Sequence, residues 1–281
     1  MVLLLFVDLF VTLDPDLAAL RELGGFFVLR TVRSAVGDPD AARVDELTTL
    51  AKAYEKLTSD VCENILTFRV DAVSERLGVT EPRVAASVAH QALAARLWSV
   101  ALGCAVRYGS LPDLAPDLLR WDPGATAPDD LWLTEMRAPT DGADRAALAD
   151  TVVQAVVQAV VEAVVRAVVH GHLEPLGEAV RARYGLAAGL LWGNAGSALA
   201  GAARELDRWA RANNRTDMVA RNRTLTDALF AHPLLSATGT RTGLAFRRRS
   251  CCLYYRVPGG GVCGDCCFTQ PPRSSPRAAS G

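Results

Sequence analysis

Thr80-Glu-Pro-Arg-Val-Ala-Ala-Ser-Val-Ala-His-Gln-Ala-Leu-Ala-Ala-Arg-Leu-Trp-Ser-Val-Ala-Leu-Gly-Cys-Ala-Val-Arg-Tyr-Gly109 reads as one long helix. Thr80 is its N-cap candidate, Glu81-Pro82 opens it, and Ala, Leu and Val carry it to Tyr108. Gly109-Ser-Leu-Pro112 stops it.

Downstream, further helices follow. A Val/Ala-rich helix runs from Asp144 to His170, with Gly171 as its natural C-cap. Gln154, Gln158, Glu162 and Arg166 interrupt it every fourth residue. That polar stripe marks one wet edge, so no membrane span is expected here. Helices over Glu174–Tyr184, Ala187–Asn213 and Asp217–Ala231 complete the series, stopped by Gly185, Asn214 and Pro233. The fold class is therefore mainly α, a helical body with minor β elements. Strand signals are Gly25–Arg30 and Leu253–Val257. Residues 110–145 are rich in Pro, Gly and Asp and should wrap the surface, pinned by Trp121 and Trp132. Met1–Val7 is apolar but has no basic n-region or cleavage site, so a buried first element is expected rather than a signal peptide. Pro271–Gly281 should be disordered.

Apolar residues make up 50% of the 281 and charged ones 22%, which allows a sizeable core and excludes general disorder. A net charge of -1 argues against a wholesale nucleic-acid binder. Residues 201–281 nevertheless hold 13 Arg against 5 Asp and Glu, a basic end on an acidic body.

Five of the seven cysteines fall at Cys251, Cys252, Cys263, Cys266 and Cys267. Cys62 and Cys104 stand alone in helical patterns and read as small core residues. With no export signal the setting should be reducing, where clustered cysteines mean metal or redox chemistry more often than disulfides. The spacing is Cys-Cys, ten residues, Cys, two residues, Cys. Four thiolates so spaced suit either a tetrahedral zinc or a [2Fe–2S] cluster. Pro258-Gly-Gly-Gly261 lets the intervening loop bend tightly. Adjacent cysteines diverge, which disfavours a shared single ion and suits a cluster whose ligand sites spread over two metals.

The string Arg247-Arg-Arg-Ser-Cys-Cys-Leu-Tyr-Tyr-Arg-Val-Pro-Gly-Gly-Gly-Val-Cys-Gly-Asp-Cys266 resembles the C-terminal module of the FhuF-like ferric iron reductases, or ferric-siderophore reductases. Leu190-Leu-Trp-Gly-Asn194, Ala195-Gly-Ser-Ala-Leu199, Arg83-Val-Ala-Ala-Ser87 and Ala94-Ala-Arg-Leu-Trp98 resemble recurring segments of its high-GC bacterial members. The likeness covers most of the chain from about residue 16. It implies a cytoplasmic protein that reduces Fe(III) in a siderophore, a hydroxamate expected first. Its cofactor would be a [2Fe–2S] cluster on Cys251, Cys252, Cys263 and Cys266, with the metal bound by the same four residues. No catalytic residue beyond the cluster is implied. Cys267 departs from the pattern, because that place is usually apolar. The implied division is a body over 1–245, a cluster module over 246–270 and a tail over 271–281.

Arg247, Arg248, Arg249 and Arg256 flank the ligand pairs. They read either as a solvated basic edge or as cations that stabilise a cluster, which is doubly negative oxidised and triply negative reduced. Such a rim would also attract an acidic electron donor, a ferredoxin or a reductase. Neither Gly-x-x-x-x-Gly-Lys nor Gly-x-Gly-x-x-Gly occurs, so the electrons should come from that partner and not from a bound nucleotide. The same lack weighs against a role in siderophore biosynthesis. Val73–Val84 resembles a helix-turn-helix corner, giving a DNA-binding iron–sulfur sensor as the alternative, but Arg83, Ser87, His90, Gln91 and Arg96 sit among alanines in an acidic half. Nucleic acid is thus not an expected partner. His170 and His172 flank a helix stop without an evident third ligand. Trp192-Gly-Asn194 could either pack in the core or border the cluster or a ligand cleft.

Overall fold

The computed structural model describes residues 17, 19–31, 41–55, 65–135 and 149–272. Met1–Val7, Cys62 and all but the first two residues of the 271–281 tail lie outside them. The chain is mainly helical. Its first elements are short: 3-10 turns over Leu20–Leu23 and Gly25–Phe27, in place of the strand expected from Gly25, then β1 (Arg30–Thr31), α1 (Ala41–Val44), β2 (Thr48–Thr49) and α2 (Leu50–Tyr54). Then come α3 (Ile65–Leu77) and α4 (Pro82–Tyr108).

Pro82 fits the first turn of α4, where a missing N–H costs nothing, and Gly109 ends it in the left-handed conformation with φ 71°. The N-cap position falls to Glu81 rather than Thr80, with no side-chain cap. Small residues line α4 on nearly all sides, and Leu97, Trp98 and Leu102 are fully buried along it. Burial of each such side chain is worth about 1.5–3 kcal/mol.

The stretch 110–135 is not merely a surface wrap. It supplies β3 (Leu119–Trp121) and β4 (Leu131–Leu133), and the sheet runs β1-β4-β3-β2. β4 pairs in parallel with β1 and antiparallel with β3, Trp132 facing Arg30 on one side and Arg120 on the other. Every β4 side chain is buried, because this small sheet lies under the helices. Trp121 and Trp132 are both buried, as pins should be.

After 149 come α5 (Ala149–Val164), a π-helical stretch Val165–Leu173, and α6 (Glu174–Tyr184), closed by Gly185. The expected stop at Gly171 does not occur. The wide turn carries the chain through, with Glu174 N–H bonding Val169 C=O five residues back. It directly precedes Pro175, whose ring tolerates no tight contact with the carbonyl four residues earlier. Gln158, Glu162 and Arg166 are exposed, as the stripe requires, while Val161, Val164, Val168 and Val169 enter the core. Among the described residues, one helix, Ala155–Tyr184, is long and apolar enough to cross a membrane by composition. α7 (Ala188–Ala212), α8 (Thr216–Phe230), α9 (Pro233–Ser236) and the antiparallel hairpin β5 (Gly239–Thr242) and β6 (Ala245–Arg248) follow.

α4 and α7 are the central pair. Ala85, Ala86, Ala89, Ala195, Ala198 and Ala202 are buried, small enough for two helices to pack closely. The helix-turn-helix corner is real, with Gly78 at φ 61° between α3 and α4. Of its five polar candidates Ser87, His90 and Arg96 are buried and Gln91 is half-buried, which leaves Arg83 as the exposed one among them. Arg96 instead donates to Asp130 at 2.8 Å and to the Val28 carbonyl at 2.7 Å. Removing one partner of such a pair costs about 3–5 kcal/mol. His172 is no metal ligand either. It donates from Nε2 to the Leu114 carbonyl at 2.7 Å and accepts from the Tyr54 hydroxyl at 2.9 Å. Burial pulls its pKa down to about 4.

Candidate metal centre

The hairpin β5–β6 delivers the chain to the cysteines. β6 alternates in and out, so Phe246 and Arg248 point inward while Arg247 and Arg249 are exposed. Arg247 and Arg249 thus lie at the surface, as both readings of the rim allow, whereas Arg248, 2% exposed, is no part of a solvated edge.

Leu253–Val257 is not a strand. Leu253 takes a left-handed φ of 68°, and Tyr254–Arg256 make a 3-10 turn. The physical reason lies in the sulfur. The reversal aims the Leu253 N–H at Cys251 Sγ, 3.2 Å away. Phe268 N–H reaches Cys266 Sγ in the same i+2 pattern at 3.4 Å. Cys263 and Cys266 are joined by a turn in which Cys266 N–H bonds the Cys263 carbonyl at 3.0 Å. Gly260 has no room for a side chain, since a Cβ there would lie 2.9 Å from the carbonyl oxygens of Tyr254 and Val257. That tight bend brings the two ends of the loop together, leaving Cys252 Sγ 3.5 Å from Cys263 Sγ.

The contact between these two thiols lowers the Cys252 pKa to about 6 and raises that of Cys263. Burial raises Cys251 and Cys267. Cys252 is buried and the other four are half-buried. Cys104 is a buried core thiol, pushed up to about 12 by desolvation.

The loop is seated on α4 and α7. Ser87 donates to the Cys252 carbonyl at 2.7 Å, and Asn194 Nδ2 donates to Ser87 O at 2.9 Å. Arg248 donates to Asn194 Oδ1, to Gln91 Oε1 at 3.2 Å and to the Leu190 carbonyl at 3.3 Å. Asp265 ties the second cysteine turn down, accepting from Ser197 at 2.6 Å and pairing with Arg204 at 3.1 Å. Two glycines of α7 make this approach possible. A Cβ on Gly193 would lie 2.2 Å from Ser250 Oγ, and one on Gly196 2.5 Å from Thr238 Oγ1. Sequence reading singled out Trp192-Gly-Asn194 as a unit. The helix divides it: Gly193 and Asn194 face the cysteine loop, whereas Trp192 lines a separate cavity with His90. Ser87 and Asp265 carried no signal in isolation.

The donor set fits an iron–sulfur group. Four cysteines at the two ends of one loop can supply two thiolates to each iron of a two-iron cluster, and Cys252 and Cys263 already stand 3.5 Å apart. Main-chain N–H groups already point at two sulfurs, and Arg248 brings a buried positive charge that pairs with no carboxylate among the described residues. Four anionic sulfurs would balance it.

Comparison with known proteins agrees. Residues 248–268 match the FhuF 2Fe-2S C-terminal domain, so the cofactor is a [2Fe–2S] cluster. Residues 90–242, more than half of the chain, match the family described as ferric iron reductase FhuF-like transporter. No curated protein matches the chain. Body and cysteine loop thus point the same way, and the chain belongs to the FhuF-like ferric iron reductase family.

Proposed function

We propose that this chain is a cytoplasmic ferric-siderophore reductase, releasing Fe(II) by one-electron reduction of Fe(III), a hydroxamate complex being the first substrate to try. The observation that carries this reading is the match of both its helical body and its cysteine loop to one ferric iron reductase family. The functional division is a body over 1–245 and a cluster module over 246–270.

When bound, the cluster supplies a one-electron carrier. Cys251, Cys252, Cys263 and Cys266 hold it. Leu253 and Phe268 N–H groups and the Arg248 guanidinium stabilise negative charge on those sulfurs. Oxygen chelators hold the hard Fe(III) ion tightly and Fe(II) weakly, so one electron labilises the complex.

The test is anaerobic. Chemically reduced holo-protein should be reoxidised by a ferric hydroxamate, delivering one Fe(II) per cluster to a ferrous trap. Each tenfold removal of Fe(II) shifts a one-electron couple by about 59 mV, so the trap draws an uphill transfer forward. Apo-protein and the Cys263→Ser variant should be inert. Failure with every ferric siderophore tried would end the reductase reading.

A separate donor should dock on the exposed face of the cysteine module, where Arg247 donates to the Cys267 carbonyl and Arg249 is exposed. Replacing both arginines by Gln is expected to slow reduction by an acidic ferredoxin at low salt and to leave the cluster potential in place. The difference should shrink as the Debye length falls to about 8 Å at physiological ionic strength. Stopped-flow rates that ignore both substitutions and salt would leave these arginines as a solvated edge.

A further inference from the structure

A cavity of about 190 Å³ opens between α6 and α7. Leu173, at the end of the π-helical stretch, Leu191, Trp192 and Leu234 give it apolar walls. Glu174, Glu178 and Arg181 mark its polar side. At its α4 wall stands His90, only 2% exposed, whose Nδ1 finds no hydrogen-bond partner among the described residues. Burial, reinforced by the charge of Arg248, pulls the His90 pKa down to about 3. The ring is therefore neutral at physiological pH and offers one donor and one acceptor.

Its place relative to the metal centre is fixed by two helices. His90 lies three residues after Ser87, which holds the Cys252 carbonyl, and next to Gln91, which accepts from Arg248. On α7, Trp192 and Ala195 line the cavity while Asn194 and Ser197 bind the cysteine module. Cavity and module share the same turns of the same helices.

The volume is below the roughly 300–1,000 Å³ of pockets that engulf a whole drug-sized ligand. It suits one slender arm, with the rest of the molecule outside. Apolar walls match methylene groups. A neutral imidazole meets either a carbonyl or an N–H, according to its tautomer. The positive charge of Arg248 behind His90 disfavours a cationic end there, and the two glutamates disfavour an acidic one.

We propose that this cavity is a substrate-arm pocket, taking one uncharged, amide- or hydroxamate-bearing aliphatic arm of the ferric chelator, with His90 bonding its polar group. The proposal rests on the reductase reading above.

The probe is the gallium(III) complex of a linear trihydroxamate, which is redox-inert, titrated into holo-protein by calorimetry. Ala188→Trp narrows the cavity from a half-buried position and leaves the core intact. It should weaken binding at least tenfold and raise KM for the ferric complex. Visible spectrum, potential and electron transfer to ferricyanide should be unchanged. His90→Leu should weaken binding similarly, and His90→Gln should restore much of it by supplying an amide. Electron transfer to ferric hydroxamates with binding and KM untouched by Ala188→Trp would overturn the pocket and spare the reductase reading. No transfer from wild-type protein would overturn that reading itself. Equal binding of a gallium tris-catecholate, equally sensitive to Ala188→Trp, would overturn the assigned arm chemistry.

Discussion

Serine in place of Cys251, Cys252, Cys263 or Cys266 is expected to strip or severely alter the iron chromophore. A serine hydroxyl is not ionised at neutral pH, and an alkoxide is a harder, poorer partner for iron–sulfur chemistry than a thiolate. The four positions should not fail identically. Cys251 and Cys266 each lose a sulfur that accepts a main-chain N–H, whereas Cys252 and Cys263 form the close pair at 3.5 Å. Cys267→Ser and Cys104→Ser should keep the spectrum, the first because four other cysteines fill the ligand set, the second because Cys104 is buried in α4. Iron content, visible absorption and EPR after dithionite reduction check this together. If Cys267→Ser bleaches the protein and Cys266→Ser does not, Cys267 replaces Cys266 in the ligand set.

The second large effect is expected at Arg248. Arg248→Gln removes a buried cation and strips donors from Asn194, Gln91 and the Leu190 carbonyl. Hydrogen bonds to a charged group are worth about 1.5–3 kcal/mol each, so the apo-protein should lose several kcal/mol of stability. Reduction adds a negative charge beside this site. Losing about 1–2 kcal/mol of its stabilisation would lower a one-electron potential by roughly 40–90 mV. Arg248→Lys separates the two roles, because it keeps the charge and gives up the planar fork. It should recover potential more than stability. A Gln variant with wild-type potential by redox titration would show that Arg248 only anchors the loop.

Much of the body was legible because long helices with glycine and proline punctuation carry their own boundaries. α4 ends at Gly109 and α6 at Gly185, where the left-handed C-cap needs no side chain. Gly171 misled because the same residue type also passes through a π turn, and only the packing around Pro175 decides between the two. Leu253–Val257 misled because aromatic residues with a terminal Val favour a strand, while a sulfur acceptor two residues back turned Leu253 the other way. The three consecutive arginines look alike in the sequence. Their difference comes from the pleat of β6, a strand too short to announce itself. The four-cysteine spacing was the most local feature of all and was read directly. The seat beneath it was legible only in part: Trp192-Gly-Asn194 stood out as a possible border of the cluster, while the roles of Ser87 and Asp265 emerge only when α4 and α7 meet.

That seat has a consequence for how the holo-protein is made. The bond from Ser87 to Cys252 spans 165 positions, that from Asn194 to Ser87 spans 107, and that from Arg248 to Asn194 spans 54. Contacts so far apart in the chain form late, after the entropy of closing their loops has been met. Between 246 and 268 the buried apolar side chains are Phe246, Cys252 and Val257, too few to order that segment alone. Iron delivery must therefore wait for the helices to assemble, which makes the colour of the protein a quality-control signal: a chain whose α4–α7 pairing has failed offers its thiols in disarray and stays pale.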